Sequence, residues 1–243
     1  MRFFHRYPQI RDVRCNNRSM ILHLYLVRHG QTVFNRYNRL QGWSNSPLTE
    51  QGFADANKAG AKLADIAFDA AYCSDTTRAE VTARRILEIN EQAGNKRPQL
   101  ISNMHFREQC YGYFEGQDMA QAWWAAGAPH GAGTYNAIVE RFGLAATRDF
   151  LHEADPFHDA ESDRQYWDRV EAGFALIASN PNVHDGSNVL QISHGNTLLS
   201  LMHRFASEGY DLSERPSNGS VTRLDFDTEK PIEQAIRVVS YNQ

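Results

Sequence analysis

LHLYLVRHG (residues 22–30) and VLQISHG (residues 189–195) decide how this chain is read. In each, a short apolar run ends in a His-Gly corner: Leu22–Val27 enters Arg28-His29-Gly30, and Val189–Ile192 enters Ser193-His194-Gly195. Runs of this length, rich in strand formers and closed by glycine, read as buried strands. In an open α/β sheet the carboxyl ends of the strands border the ligand crevice. A histidine at that point projects into the crevice. The glycine lets the backbone turn tightly and approach a ligand closely. A helix following each corner aims free N–H groups at the same place, which suits an anion. One histidine among ten is more often packed or solvated than catalytic, but two in matching context shift the odds.

The rest of the chain extends this pattern. Asn45-Ser46-Pro47 is a turn, and Thr49 caps a helix expected to reach about Ile66, with Phe53, Ala56, Gly60 and Leu63 on one face. Ala70–Ser74 reads as a second buried strand, with Asp75 capping a helix over Thr76–Asn90. A weak strand is expected at Leu100–Ser102. Residues 116–166 lose the periodicity but hold Trp123, Trp124, Tyr135, Phe142, Phe150, Phe157 and Tyr166; they read as an inserted cap of short helices and loops. Helices follow over Asp163–Ser179 and Asn196–Ser207, and Val221–Phe226 and Ile236–Val239 read as closing strands paired with each other. The alternation predicts an α/β fold, a three-layer α/β/α sandwich with a mostly parallel central sheet.

The chain has 243 residues, of which 42% are hydrophobic and 22% charged, enough for one large α/β domain and unlike a disordered chain. Its 25 basic and 29 acidic side chains give −4, a poor start for a nucleic-acid binder. That figure hides a split: residues 1–19 carry five arginines and one acid, and the remaining 224 residues carry 20 bases and 28 acids. Residues 1–20 are expected to be a disordered N-terminal extension, its residues 1–19 upstream of the start codon, and residues 21–243 the domain. Phe3 and Phe4 are followed at once by His5 and Arg6, so no signal-peptide core forms, and no apolar run reaches membrane-spanning length. Cys15, Cys73 and Cys110 are odd in number and widely spaced, which argues against a disulfide framework and a zinc site and for a cytoplasmic location.

Further motifs surround the two corners. Arg28 precedes the first histidine, and Arg78, in SDTTRAEVTA (residues 74–83), sits in the first turn of a helix where a guanidinium can fork onto phosphate oxygens. LVRHGQTVFN (26–35), QGWSNSPLTEQG (41–52), SDTTRAEVTA, FREQCYGYFEG (106–116) and QISHGNT (191–197) occur in an order that resembles the histidine phosphatase superfamily, over about residues 21–240. The resemblance implies a phosphoglycerate mutase-like fold. It implies that His29 is the nucleophile that becomes phosphorylated and that Arg28, Arg78 and His194 bind the phosphoryl oxygens, with Asn35 beside them. Gly195 and Gln41 join the substrate-binding set, Gln41 matching a polar position of the phosphatase-like branch. Glu108 matches the general acid; Glu115 is the competing carboxylate, in an "EG" pair of more structural character. Phosphoryl transfer needs an in-line nucleophile and positive charge around the equatorial oxygens, which imidazole and arginines can supply without a metal or other cofactor. Metal-ligand spacings are absent from the sequence.

Phosphatase and mutase share the phosphohistidine and differ in what receives the phosphoryl group. A mutase must cradle a small polyanion, yet residues 116–166 carry three bases and eight acids, and no lysine lies between Lys96 and Lys230. The expected activity is therefore a phosphomonoester hydrolase acting on a small phosphorylated metabolite, with cofactor-dependent phosphoglycerate mutase as the alternative. A non-catalytic phospho-ligand binding protein is a weaker alternative, because Arg28, His29, Arg78, Glu108 and His194 are all present. The expected partner is a small phosphate ester, not nucleic acid or membrane. The aromatics of the cap are expected either to wall the pocket or to form the core of the cap itself.

Overall fold

The computed structural model describes residues 19–243; most of the expected extension lies outside the described residues. The strands are β1 (Ile21–Arg28), β2 (Ala70–Cys73), β3 (Leu100–Ser102), β4 (Asn188–Ser193), β5 (Val221–Asp227) and β6 (Ile236–Ser240). They form one sheet in the order β3-β2-β4-β1-β5-β6. The first four are mutually parallel, and β5 and β6 close the β1 edge antiparallel. This is the expected mostly parallel sheet with its two closing strands paired. Register places Val27 opposite Ile192 and Arg28 opposite Ser193, so the two His-Gly corners leave adjacent strands at the same level.

The helices are α1 (Val33–Arg36), α2 (Glu50–Lys62), α3 (Thr77–Gln92), α4 (Met119–Gly127), α5 (Tyr135–Phe142), α6 (Leu144–Ala154), α7 (Asp163–Ala178), α8 (Gly195–Phe205) and α9 (Ile232–Ala235). Alternation along the strands sorts the core into two layers. Leu22, Leu24 and Leu26 of β1 pack with Val170, Phe174 and Ile177 of α7 and Leu198 and Leu201 of α8. Val27, with Leu190 and Ile192 of β4, packs on the other side against α2 and α3 through Ala59, Ala83, Ile86 and Leu87. Each fully buried leucine or isoleucine contributes about 1.5–3 kcal/mol of transfer free energy, so both layers are needed to cover the sheet.

A third cluster belongs to residues 116–166. Trp123, Ala126, Ile138 and Leu151 bury against Leu40, Tyr111 and Phe114. Trp123 therefore serves the core of this cluster, whereas Trp124, Phe142 and Phe157 stay exposed. Two local expectations are corrected. Phe53 is 49% exposed, because α2 turns Gly52, Ala56, Ala59 and Gly60 inward instead. Asp75 does not cap α3: Thr76 holds the cap position, and Asp75 takes both arms of Arg107, at 2.5 and 2.6 Å. Cys73 and Cys110 are free and buried. Among the described residues, no helix is long and apolar enough to cross a membrane, and no three His, Cys, Asp or Glu side chains gather as a metal site.

Candidate active site

The two corners bring His29 and His194 together with ring centroids 5.2 Å apart and planes tilted by 55°. Both residues are buried. Nδ1 of His29 lies 2.8 Å from the carbonyl of Gly30. A carbonyl only accepts, so Nδ1 carries the proton and Nε2 keeps its lone pair. His194 has the opposite tautomer: Nδ1 accepts from Arg78 Nη2 at 3.2 Å, and Nε2 donates to Ser74 Oγ at 3.0 Å. Burial, then the Arg78 charge, holds both rings well below the ordinary imidazole range; Arg28 adds to this for His29. Both histidines are therefore neutral at pH 7.

Arg78 is completely buried. Nη1 donates to Ser44 O and Nη2 to Gly42 O, which ties the guanidinium to the 41–46 loop. Arg28 donates Nη1 to Pro216 O at 2.5 Å. Burial lowers each guanidinium to about 10, and each stays protonated at neutral pH. Nε of Arg28 and Nε of Arg78 are both buried without a hydrogen-bond acceptor. A buried charged donor left unpaired is costly, and phosphoryl oxygens are acceptors of the kind these donors lack.

Glu108 is buried beside the first turn of α8. Its Oε1 accepts from Gln109 N and Thr197 Oγ1, at 2.9 and 2.8 Å, and its Oε2 from Asn196 N at 2.7 Å. Oε2 thus has one partner and capacity for one more. The first turn of α8 supplies two of the three donors, so the second His-Gly corner positions the acid as well as His194.

Residues 24–238 match the histidine phosphatase superfamily (branch 1). The chain belongs to the histidine phosphatase superfamily. A 2,3-bisphosphoglycerate-dependent phosphoglycerate mutase of Brucella anthropi is 34% identical over 183 residues, covering 74% of this chain and 79% of the relative. The crystal structure of a phosphoglycerate mutase from Bacillus anthracis str. Sterne superposes with a TM-score of 0.80 at 31% identity, covering 93% of this chain and 94% of that one. A mycobacterial glucosyl-3-phosphoglycerate phosphatase shares the fold, with a TM-score of 0.61 at 22% identity, covering 90% of this chain and 98% of that one.

Within this member of the superfamily the remaining expected site residues divide. Asn35 borders a cavity of about 480 Å³ that Arg28 also borders. Its Oδ1 accepts from Thr32 N at 3.1 Å in the capping box of α1, which fixes the amide's orientation. Gly195 is the first residue of α8, and a Cβ there would press on the Arg28 guanidinium at 3.2 Å. Gln41, like His29, Arg78, Glu108 and His194, does not border the cavity, and both ends of its amide are engaged: its Nε2 donates to Ser46 Oγ and its Oε1 accepts from Thr32 Oγ1 at 2.6 Å. Its amide braces the loop that holds Arg78. Glu115 is occupied entirely by backbone and loop donors: Gly42 N, Trp43 N, Ser44 N, Ser44 Oγ and Tyr111 N.

Several residues of the site carried no signal in the sequence reading. Asn218 donates to the His29 carbonyl at 2.8 Å, and Arg215 borders the cavity; both come from the 206–220 connection, which has no periodicity. Arg169 and Glu161 form a buried ion pair under the Glu108 loop. Asn196 and Thr197 stood inside QISHGNT, directly after the histidine, and their place in the first helical turn was the available clue.

Proposed function

We propose that the chain is a phosphomonoesterase working through a phosphohistidine on His29. The observation that carries this is the free Nε2 lone pair of His29 together with Arg78 and Arg28, whose charges act on that ring and whose buried Nε–H donors lack acceptors. In the first step, Nε2 forms a bond to phosphorus and the P–O bond to the leaving alkoxide breaks. Arg28 and Arg78 hold the equatorial oxygens, and Glu108 gives its proton from Oε2 to the departing oxygen. In the second step, water attacks phosphorus, its proton returns to Glu108, and the P–N bond breaks to release inorganic phosphate.

Hydrolysis is favoured over mutation by the lining of the cavity beyond Arg28. Asn35, Asn38, Asn136, Ser213 and Glu214 border it, with Arg215 as its one further cation. Such a wall suits a polar, weakly charged leaving group better than a second phosphate. The mutase remains the second reading, because the Brucella anthropi and Bacillus anthracis proteins similar to this chain bear that name.

Purified protein is to be assayed with p-nitrophenyl phosphate and with phosphoglycerate plus its bisphosphate primer. Ester hydrolysis without appreciable isomerisation is expected; rapid isomerisation with negligible hydrolysis would reverse the choice. Glu108→Gln is expected to lower kcat about 10²–10⁴-fold for an alkyl phosphate, with a smaller loss for p-nitrophenyl phosphate, whose leaving group needs little protonation. Equal losses on both substrates would remove Glu108 as the acid.

A further inference from the structure

A third guanidinium converges on the same point. Arg215 lies in the connection between α8 and β5, outside every motif of the sequence. A Cβ placed on Gly195 would lie 3.2 Å from Arg215 Cδ and 3.2 Å from Cζ and Nε of Arg28. The two side chains therefore meet over the first residue of α8, directly after His194. Arg215 donates Nε to Asn196 Oδ1, and its guanidinium carbon stands 5.1 Å from the centre of the Tyr135 ring. Asn196 in turn donates its backbone N–H to Glu108 and its side chain to Tyr111 Oη. Among the described residues, neither Arg28 nor Arg215 has a carboxylate ion-pair partner. Arg215 adds to burial in depressing Arg28, a repulsion that an anion between them would relieve.

We infer that Arg215 is a substrate-binding residue that grips an anionic oxygen of the transferred phosphoryl group jointly with Arg28. This rests on the His29–His194 pair with Arg28 being the phosphoryl site, not on the choice between hydrolase and mutase. An anionic oxygen at this point can belong to the phosphoryl group itself or to an acidic leaving group. Convergence over Gly195, beside His194, favours the phosphoryl group, and Glu214 on the cavity wall disfavours an acidic leaving group.

The test compares wild type, R215Q and R215K in calorimetric binding of inorganic phosphate and in kinetics with p-nitrophenyl phosphate and 3-phosphoglycerate. Loss of a charge-assisted hydrogen bond corresponds to roughly 10- to 100-fold in affinity. R215Q is expected to weaken inorganic phosphate by such a factor and to raise KM for p-nitrophenyl phosphate in parallel, with a smaller change in kcat. R215K keeps the charge but not the fork and is expected to fall between the two. A loss confined to 3-phosphoglycerate would assign Arg215 to the leaving group and overturn the inference. A lowered melting temperature with unchanged phosphate affinity in R215Q and R215K would show a structural residue and also overturn it. Absence of ester hydrolysis by the wild type would sink the phosphatase reading alone, since the phosphate-binding comparison does not depend on turnover.

Discussion

The proton on Nδ1 of His29 has one acceptor, the carbonyl of the next residue, and that bond decides where the ring's lone pair points. Gly30 earns its place in a different way from the one its corner suggested. Its Cβ would collide with the carbonyl of Gly52 at 2.1 Å, and a Cβ on Gly52 would collide with that of Gln31 at 2.1 Å. The glycine pair thus lets the first turn of α2 close on the nucleophile's backbone, so this corner needs a close approach to a helix. The ring itself is kept neutral by burial first and by Arg78 and Arg28 next. A lowered imidazole pKa means that the free base persists as pH falls through 6.5. Nitrogen chemical shifts of His29 in labelled protein should show the Nδ1–H neutral tautomer unchanged from pH 7.5 to 6. A midpoint near 6.5 would contradict this. Bound phosphate should raise the midpoint, because the anion offsets the two arginines.

At the scale of elements, the acid is held by a loop that cannot hold itself. Residues 103–116 contain only two short 3₁₀ turns, Met104–Phe106 and Gly112–Phe114. Arg169 of α7 supplies the missing order. It donates to the carbonyls of His105, Arg107 and Glu108, and it pairs with Glu161 at 2.6 and 2.8 Å. Glu161 closes the ring by accepting from Cys110 N at 2.9 Å. Replacing Arg169 by Met leaves Glu161 buried and uncompensated, at a cost of about 3–5 kcal/mol. R169M should lower the urea midpoint accordingly, and R169M/E161L should recover much of the loss while leaving kcat depressed, because three loop carbonyls stay unanchored. Full recovery of kcat in the double variant would show that the pair does not position Glu108. None of this was legible beforehand, since an arginine on a helix and a glutamate in a loop eight residues apart look like surface charge. The strand-to-corner segments were legible because a short apolar run and the His-Gly punctuation coincide there. Asp75 was misread for the same reason that Arg169 was missed: local capping chemistry competes with a partner, Arg107, that is distant in sequence.

For the whole molecule, the sheet order places both histidine corners on central, adjacent strands, with helical layers on either side and Met119, Tyr135 and Asn136 of the 116–166 stretch on the cavity wall. Fold class and the histidine pair were readable because they depend on local patterns repeated along the chain; the 206–220 connection, which brings Arg215 and Asn218, depends on where an aperiodic segment lands. Burying two neutral histidines has a consequence for stability as well as for chemistry. Their folded pKa values lie well below the unfolded value, so below pH 6.5 the unfolded chain takes up protons that the folded one refuses. Stability from these groups is fully present above pH 6.5 and is lost as pH falls toward the folded values, by about 1.4 kcal/mol per pH unit for each ring. His105 and His203 are shifted the same way but are less buried, and add less. The melting temperature should therefore fall steadily from pH 6.5 to 5, a range in which the depressed carboxylates Asp75 and Asp155 remain ionised in the folded protein. H194Q should flatten the slope by about half of the contribution of the two rings. Inorganic phosphate at a hundred times its dissociation constant should restore about 2.7 kcal/mol. A melting temperature independent of pH over that range, or a slope untouched by H194Q, would mean that the two rings are not held neutral by the fold.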